Sequence, residues 1–126
     1  MLLDAAALVW QFGDAGAPPP EKFAAIVSLN LLHIAPWSVA LGLLRGAARH
    51  ISSDGVLVVY GPFKIEGKFT ADSNARFDAA LRNANTAWGV RDLTVVQAAA
   101  TDYGLTLDRI IEMPSNNVII VFKRSG

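Results

Sequence analysis

The sequence predicts an α/β domain built on a mostly parallel sheet with flanking helices and a C-terminal antiparallel hairpin. Three observations carry that expectation. Phe23 to Leu29 (FAAIVSL) and Val56 to Tyr60 (VLVVY) are near-continuous apolar runs. Such runs suit strands buried on both faces, as in a parallel sheet. Between them Val39, Leu41, Leu43, Leu44 and Ala47 recur close to helical spacing. The last two apolar runs are joined by Pro114, Ser115, Asn116 and Asn117, a turn composition compatible with an antiparallel hairpin.

The elements follow in chain order. Leu2 to Ala7 is short and apolar, and its composition alone does not assign it. Gly13 to Pro20 (GDAGAPPP) reads as a loop, because consecutive prolines remove donors and fix the backbone. Pro36 suits the first turn of a helix that runs to His50, and Ser52 to Gly55 (SSDG) stops it before the second strand. Asp72 or Ser73 can cap a helix from Asn74 to about Ala84, with Phe77, Ala80 and Leu81 facing inward. Trp88 to Asp92 (WGVRD) turns into a further helix, with Asp92 as its N-cap and Gly104 at its C-terminal end. Leu105 to Met113 and Val118 to Lys123 form the closing strands. Strands alternating with helices argue right-handed crossovers in a parallel sheet.

The totals narrow the function. The 126 residues fit one domain. With 52% apolar and only 17% charged residues, the chain is no disordered tail, and some apolar surface suits a partner chain. Eleven basic and eleven acidic residues balance, leaving no field to steer a nucleic acid. Without cysteine, thiolate metal sites and disulfides are excluded. His33 and His50 have no supporting spacing, so no metal site is expected. No apolar run reaches the ~20 residues that span a bilayer. The segment MLLDAAALVW carries Asp4 and no basic leader, unlike a secretory signal. A cytoplasmic location, without membrane or nucleic acid, is the expectation.

The segments SLNLLHIAPW (28 to 37), LVVYGPFK (57 to 64), SNARFDAALR (73 to 82), WGVRDL (88 to 93) and EMPSNN (112 to 117) occur in that order. Together they resemble a methyltransferase-like family long filed as a domain of unknown function, the DUF938 type. That family belongs to the class I S-adenosylmethionine-dependent methyltransferases. The resemblance covers about Leu2 to Arg124 and implies a Rossmann-like methyltransferase sheet. On it, FAAIVSLN matches the fourth strand, VLVVYGPF the fifth, and MLLDAAALVW the end of the third. Asp4 would then meet the adenine amine of S-adenosylmethionine. Family members open with a strand and an acidic-Gly-x-Gly turn, where backbone N–H groups approach the cofactor. No GxGxG or GxGxxG spacing occurs in these 126 residues. The resemblance therefore implies an incomplete sheet, the C-terminal portion of the fold, from either a truncated product or a natural half-domain.

Candidate site residues cluster after the strands, since ligands in open α/β sheets sit beyond the strands' carboxyl ends. Asn30 could hydrogen-bond the cofactor or a substrate, or simply cap its turn. His33 could serve as a general base, having an ordinary pKa near neutrality, or bond a nearby carbonyl. Trp37 could stack on a planar ligand or pack on its own helix. Tyr60, Gly61, Pro62 and Phe63 follow the fifth strand, where the resemblance implies substrate-facing residues, or they make a simple strand-ending turn. Ser73, Asn74, Phe77 and Asp78 could project one face into a substrate cleft, residues 74 and 78 being four apart on a shared helix face, or belong to a capped surface helix. Arg91 could clamp an anion or serve a local ion pair beside Asp92. Asn116 and Asn117 read as turn residues that could line the substrate side.

By resemblance the fourth strand pairs with the first, which is not in this sequence. FAAIVSL would then be an exposed apolar edge, an aggregation hazard unless covered. A homodimer through Phe23–Leu29, or through an exchanged N-terminal segment, is expected. Two functions compete: methyl transfer from S-adenosylmethionine to a small acceptor, and a non-catalytic dimerising module of methyltransferase ancestry. A half-enzyme completed by a separate glycine-rich chain is a third.

Overall fold

The computed structural model describes Leu2–Leu3 and residues 22–125. The strands are β1 (Leu2–Leu3), β2 (Phe23–Leu29), β3 (Ile51–Gly61), β4 (Phe63–Lys64), β5 (Arg91–Asp92), β6 (Leu105–Met113) and β7 (Asn117–Arg124). The helices are α1 (Trp37–His50), α2 (Asp72–Ala84) and α3 (Leu93–Asp102). The main sheet has the order β1-β2-β3-β7-β6. β1, β2 and β3 run parallel, and β7 enters antiparallel between β3 and β6. β4 and β5 make a small parallel pair beside it. This is the mixed, mostly parallel sheet with flanking helices that the sequence predicts.

One face of the sheet carries the core. Ile26, Leu57, Val59, Ile120 and Phe122 are fully buried there. α1 meets them with Ala40, Leu43, Leu44 and Ala47, an i, i+3, i+4, i+7 stripe of one helix face. α3 adds Leu93, Val96 and Ala100. Its N-cap is Asp92, whose carboxylate accepts from Thr94 N at 2.8 Å. The opposite face is less covered. Register sets Val27, Val58 and Val121 in one row and Leu29, Tyr60, Ile119 and Ile111 in the next. All of these are half-buried or exposed.

The structure departs from the sequence reading at four points. β3 starts at Ile51, directly after α1, so SSDG is the opening of the strand and not a break before it. Gly55 permits this: a Cβ there would lie 2.8 Å from Phe23 O, and the β2–β3 register shifts between Phe23 and Ala25. α2 begins at Asp72 with Ala71 as N-cap, and no side chain caps it. Its buried residues are Asn74, Asp78 and Leu81, while Phe77 and Ala80 face outward. Two polar residues occupy the inward stripe because each has a partner there. Finally, Leu2–Leu3 runs directly beside β2, opposite Val27 and Ser28. The edge expected to be bare is thus paired at those two positions. No helix among the described residues is long and apolar enough to cross a membrane.

Phe122 lies at the centre of the covered face, 0% exposed. Phe122→Ala is expected to lower unfolding free energy by about 3–5 kcal/mol, measured by chemical denaturation.

Candidate functional site

β2 and β3 end side by side, and the next residues bend away over the sheet. Asn30 N donates to Tyr60 O at 2.9 Å. Asn30 itself adopts φ 53°, a left-handed conformation that asparagine tolerates better than most residues. A short 3-10 turn, Leu32–Ile34, follows. It buries Leu31, Leu32 and Ala35 and brings His33 back to the end of β3. A Cβ at Gly61 would lie 3.6 Å from His33 Nδ1 and 3.9 Å from Asn30 Oδ1.

These residues form one side of a cleft of about 440 Å³. Pro62 continues that side after β3. The N-terminal turns of α2 face it with Ser73, Asn74 and Phe77. The β6–β7 turn closes the third side with Ser115, Asn116 and Asn117. Among the described residues four non-glycine positions have positive φ, and Asn30, Ser115 and Asn116 are three of them. Backbone strain of this kind persists only where surrounding contacts enforce it.

The walls are tied together by hydrogen bonds that form a ring. Asn117 Nδ2 donates to the Tyr60 hydroxyl at 3.1 Å, joining the turn to β3. Asn74 Nδ2 donates to Asn116 O at 3.2 Å and to Thr70 Oγ1 at 3.2 Å, joining α2 to the turn. Asp78 accepts from Val90 N at 2.8 Å and pairs with Arg82 Nε at 3.0 Å. Gly89 N donates to His33 O at 3.1 Å, which returns to the turn after β2. Gly89 has no room for a side chain, since a Cβ would sit 3.1 Å from the Asp78 carboxylate.

Arg91 fastens this last joint. Its Nε donates to Leu32 O at 3.1 Å, and Nη2 donates to Ala35 O at 2.7 Å and Ala87 O at 2.8 Å. Its guanidinium also lies 5.7 Å from the Trp37 ring centroid.

Of the residues singled out in the sequence, Asn30, His33, Pro62, Ser73, Asn74, Phe77, Asn116 and Asn117 line the cleft, and Tyr60 reaches its margin through Asn117. Trp37, Phe63, Asp78 and Arg91 do not line it. Phe63 packs in the core, 3% exposed. Trp37 is half-buried against that core under Arg91. Asp78 and Arg91 hold the walls from behind. Asp4 lies outside the described residues. Ser115 is a lining residue that sequence reasoning missed. Its signal was the PSNN run, a turn composition in which Ser115 and Asn116 take the left-handed backbone.

Among the described residues the cleft lining carries no charged side chain, and no group of His, Cys, Asp and Glu is arranged to hold a metal. Burial, and secondarily the Arg91 guanidinium, hold the His33 imidazole below the usual histidine value of 6.5. The ring packs against Phe77, with centroids 5.5 Å apart and planes tilted by 58°.

The family model described as "Protein of unknown function (DUF938)" matches residues 1–124. The chain belongs to this family. Its fold is that of the methyltransferases, at low identity. The mitomycin 7-O-methyltransferase MmcR superposes with TM-score 0.73 and 19% identity, over 84% of this chain and 31% of that one. LepI in complex with SAM gives TM-score 0.73 and 18% identity, over 86% of this chain and 28% of the other. CalO1, a methyltransferase in calicheamicin biosynthesis in its SAH-bound form, gives TM-score 0.70 and 20% identity, over 85% and 32%. The chain thus spans a third or less of each of these proteins.

His33 has a direct pH consequence. Its folded-state pKa is below the value of 6.5 it has when exposed, so the unfolded chain protonates first as pH falls. The stability tied to His33 is therefore complete above pH 6.5 and declines on acidification below it. NMR titration should show the His33 ring titrating below 6.5, and His33→Gln should flatten the acid limb of the stability profile.

Proposed function

We propose that this chain forms the acceptor-binding side of a site for methyl transfer from S-adenosylmethionine to a small molecule. The observation that supports it most is the convergence of His33, Asn30, Asn74 and the Asn117–Tyr60 pair on one cleft at the carboxyl ends of β2 and β3. Switch points beyond strand ends are where open α/β sheets bind ligands.

The residues present do not fit the whole cofactor. The glycines with positive φ among the described residues, Gly67, Gly89 and Gly104, lie away from the cleft lining. The 126 residues hold no acidic-Gly-x-Gly turn to bring backbone N–H groups against the cofactor. The chain's own residues account for the acceptor. A neutral His33 imidazole can take the proton of an acceptor hydroxyl. The Tyr60 hydroxyl accepts from Asn117, which leaves its own proton to donate. Asn30 and Asn74 orient the acceptor, and such positioning supplies much of the rate in transfer reactions.

Calorimetric titration with S-adenosylmethionine and S-adenosylhomocysteine tests this. The chain alone should give little heat. With a family member's glycine-rich strand–turn–helix joined ahead of Met1, micromolar binding should appear. In that form His33→Gln should keep the cofactor heat and lower transfer by about 10²–10⁴-fold. No heat and no thermal shift in either form would identify a non-catalytic module instead.

We also propose a homodimer through the β2 edge near Phe23–Leu29, or through an exchanged N-terminal segment. The half-buried row Val27, Val58 and Val121 on the less covered face of the sheet supports it, because exposed apolar faces invite association. Light scattering should give twice the chain mass at micromolar concentration; a clean monomer mass sinks it.

A further inference from the structure

We infer that the cleft selects an uncharged, hydroxylated aromatic ring. Calling that ring an acceptor rests on the methyl-transfer reading; its chemical class rests on the cleft alone.

Three observations point the same way. The first is charge. The lining has none among the described residues, and the two ionised side chains that brace its walls, Asp78 and Arg91, are already committed. Asp78 is paired with Arg82 and bonded to Val90 N. The three donated bonds of Arg91 all run to backbone carbonyls of the wall. Asp72 sits in the first turn of α2, where its carboxylate offsets the positive end of the helix. A charged ligand would lose water and find no free counter-ion in return.

The second is shape. Phe77 lies on the wall and is 42% exposed. Its contact with His33 has the tilted geometry that aromatic pairs favour, at 5.5 Å between centroids. The exposed side of Phe77 offers an aromatic surface against which another ring can pack. The cleft volume of about 440 Å³ falls in the range of small-molecule sites.

The third is hydrogen bonding. Asn74 and Asn117 use their Nδ2 groups on the wall itself. No bond among the described residues uses the Oδ1 atom of either, so each retains an acceptor. Beside them His33 retains its neutral ring as an acceptor. Several acceptors around an aromatic surface match a donor hydroxyl on the edge of a planar ligand.

The test uses the full chain, isotope-labelled, with three matched probes: 4-hydroxybenzamide, 4-hydroxybenzoate and tyramine, followed by NMR. The neutral probe should shift the Asn74 and Asn117 side-chain amides and the Phe77 backbone, and bind about tenfold tighter than either charged one. Benzamide, which lacks the hydroxyl, should bind about tenfold more weakly than 4-hydroxybenzamide. Phe77→Ala, at an exposed position, should weaken binding with an unchanged circular dichroism spectrum. Equal or tighter binding of a charged probe, shifts confined to other surfaces, or no saturable shift with any probe overturns the inference. Binding without transfer in the glycine-rich joined form would retire the catalytic reading and keep the ligand class. Transfer to charged acceptors would do the reverse.

Discussion

A buried backbone N–H or C=O needs a partner, and the loops at the carboxyl end of a sheet have no strand ladder to provide one. In this chain that constraint organises the cleft. Leu32 O, Ala35 O and Ala87 O would be left to a wet, shifting loop without the Arg91 guanidinium. Val90 N relies on the Asp78 carboxylate in the same way. Asn116 O, in a turn with two successive left-handed residues, relies on the Asn74 amide. Polar side chains buried behind the walls therefore complete the backbone, and the cleft is the space their bonds enclose.

The arrangement also explains why a neutral cleft can sit beside several ionised groups. Asp78 and Arg91 each have their partners away from the cleft lining. What faces inward is amide, hydroxyl, imidazole and a phenyl ring. Burial and the nearby guanidinium both favour the uncharged imidazole, so the one titratable ring of the lining is kept in the form that accepts a proton.

Much of this was legible in the sequence, and the limits have physical causes. FAAIVSL and VLVVY announced parallel strands because such strands lack polar alternation, but they are fully buried on one face and not on both as that reading implied. The stripe Ala40, Leu43, Leu44 and Ala47 and the PSNN turn were equally plain. The pairing of Asn74 with Asp78 on one helix face was readable from spacing, but what each would touch was not. Their partners are backbone atoms of distant loops, Asn116 O and Val90 N, and backbone atoms carry no sequence label. Phe77 was read both as an inward residue and as a cleft residue; tertiary contacts gave the inward stripe to polar neighbours and left Phe77 on the cleft wall. SSDG was read as a break because its residues favour turns, and the tight approach of Gly55 to β2 overrode that preference.

The threading of the sheet has a consequence for biosynthesis. β7, made after β3 and β6, lies between them and brings Ile120 and Phe122 into the core. Until Arg124 has left the ribosome, β3 has no neighbour on that flank and the apolar surfaces of α1 and α3 lack their central filling. The nascent polypeptide must carry that gap from the synthesis of β3 until β7 emerges, an interval in which unpaired strands are exposed to chaperones and to one another.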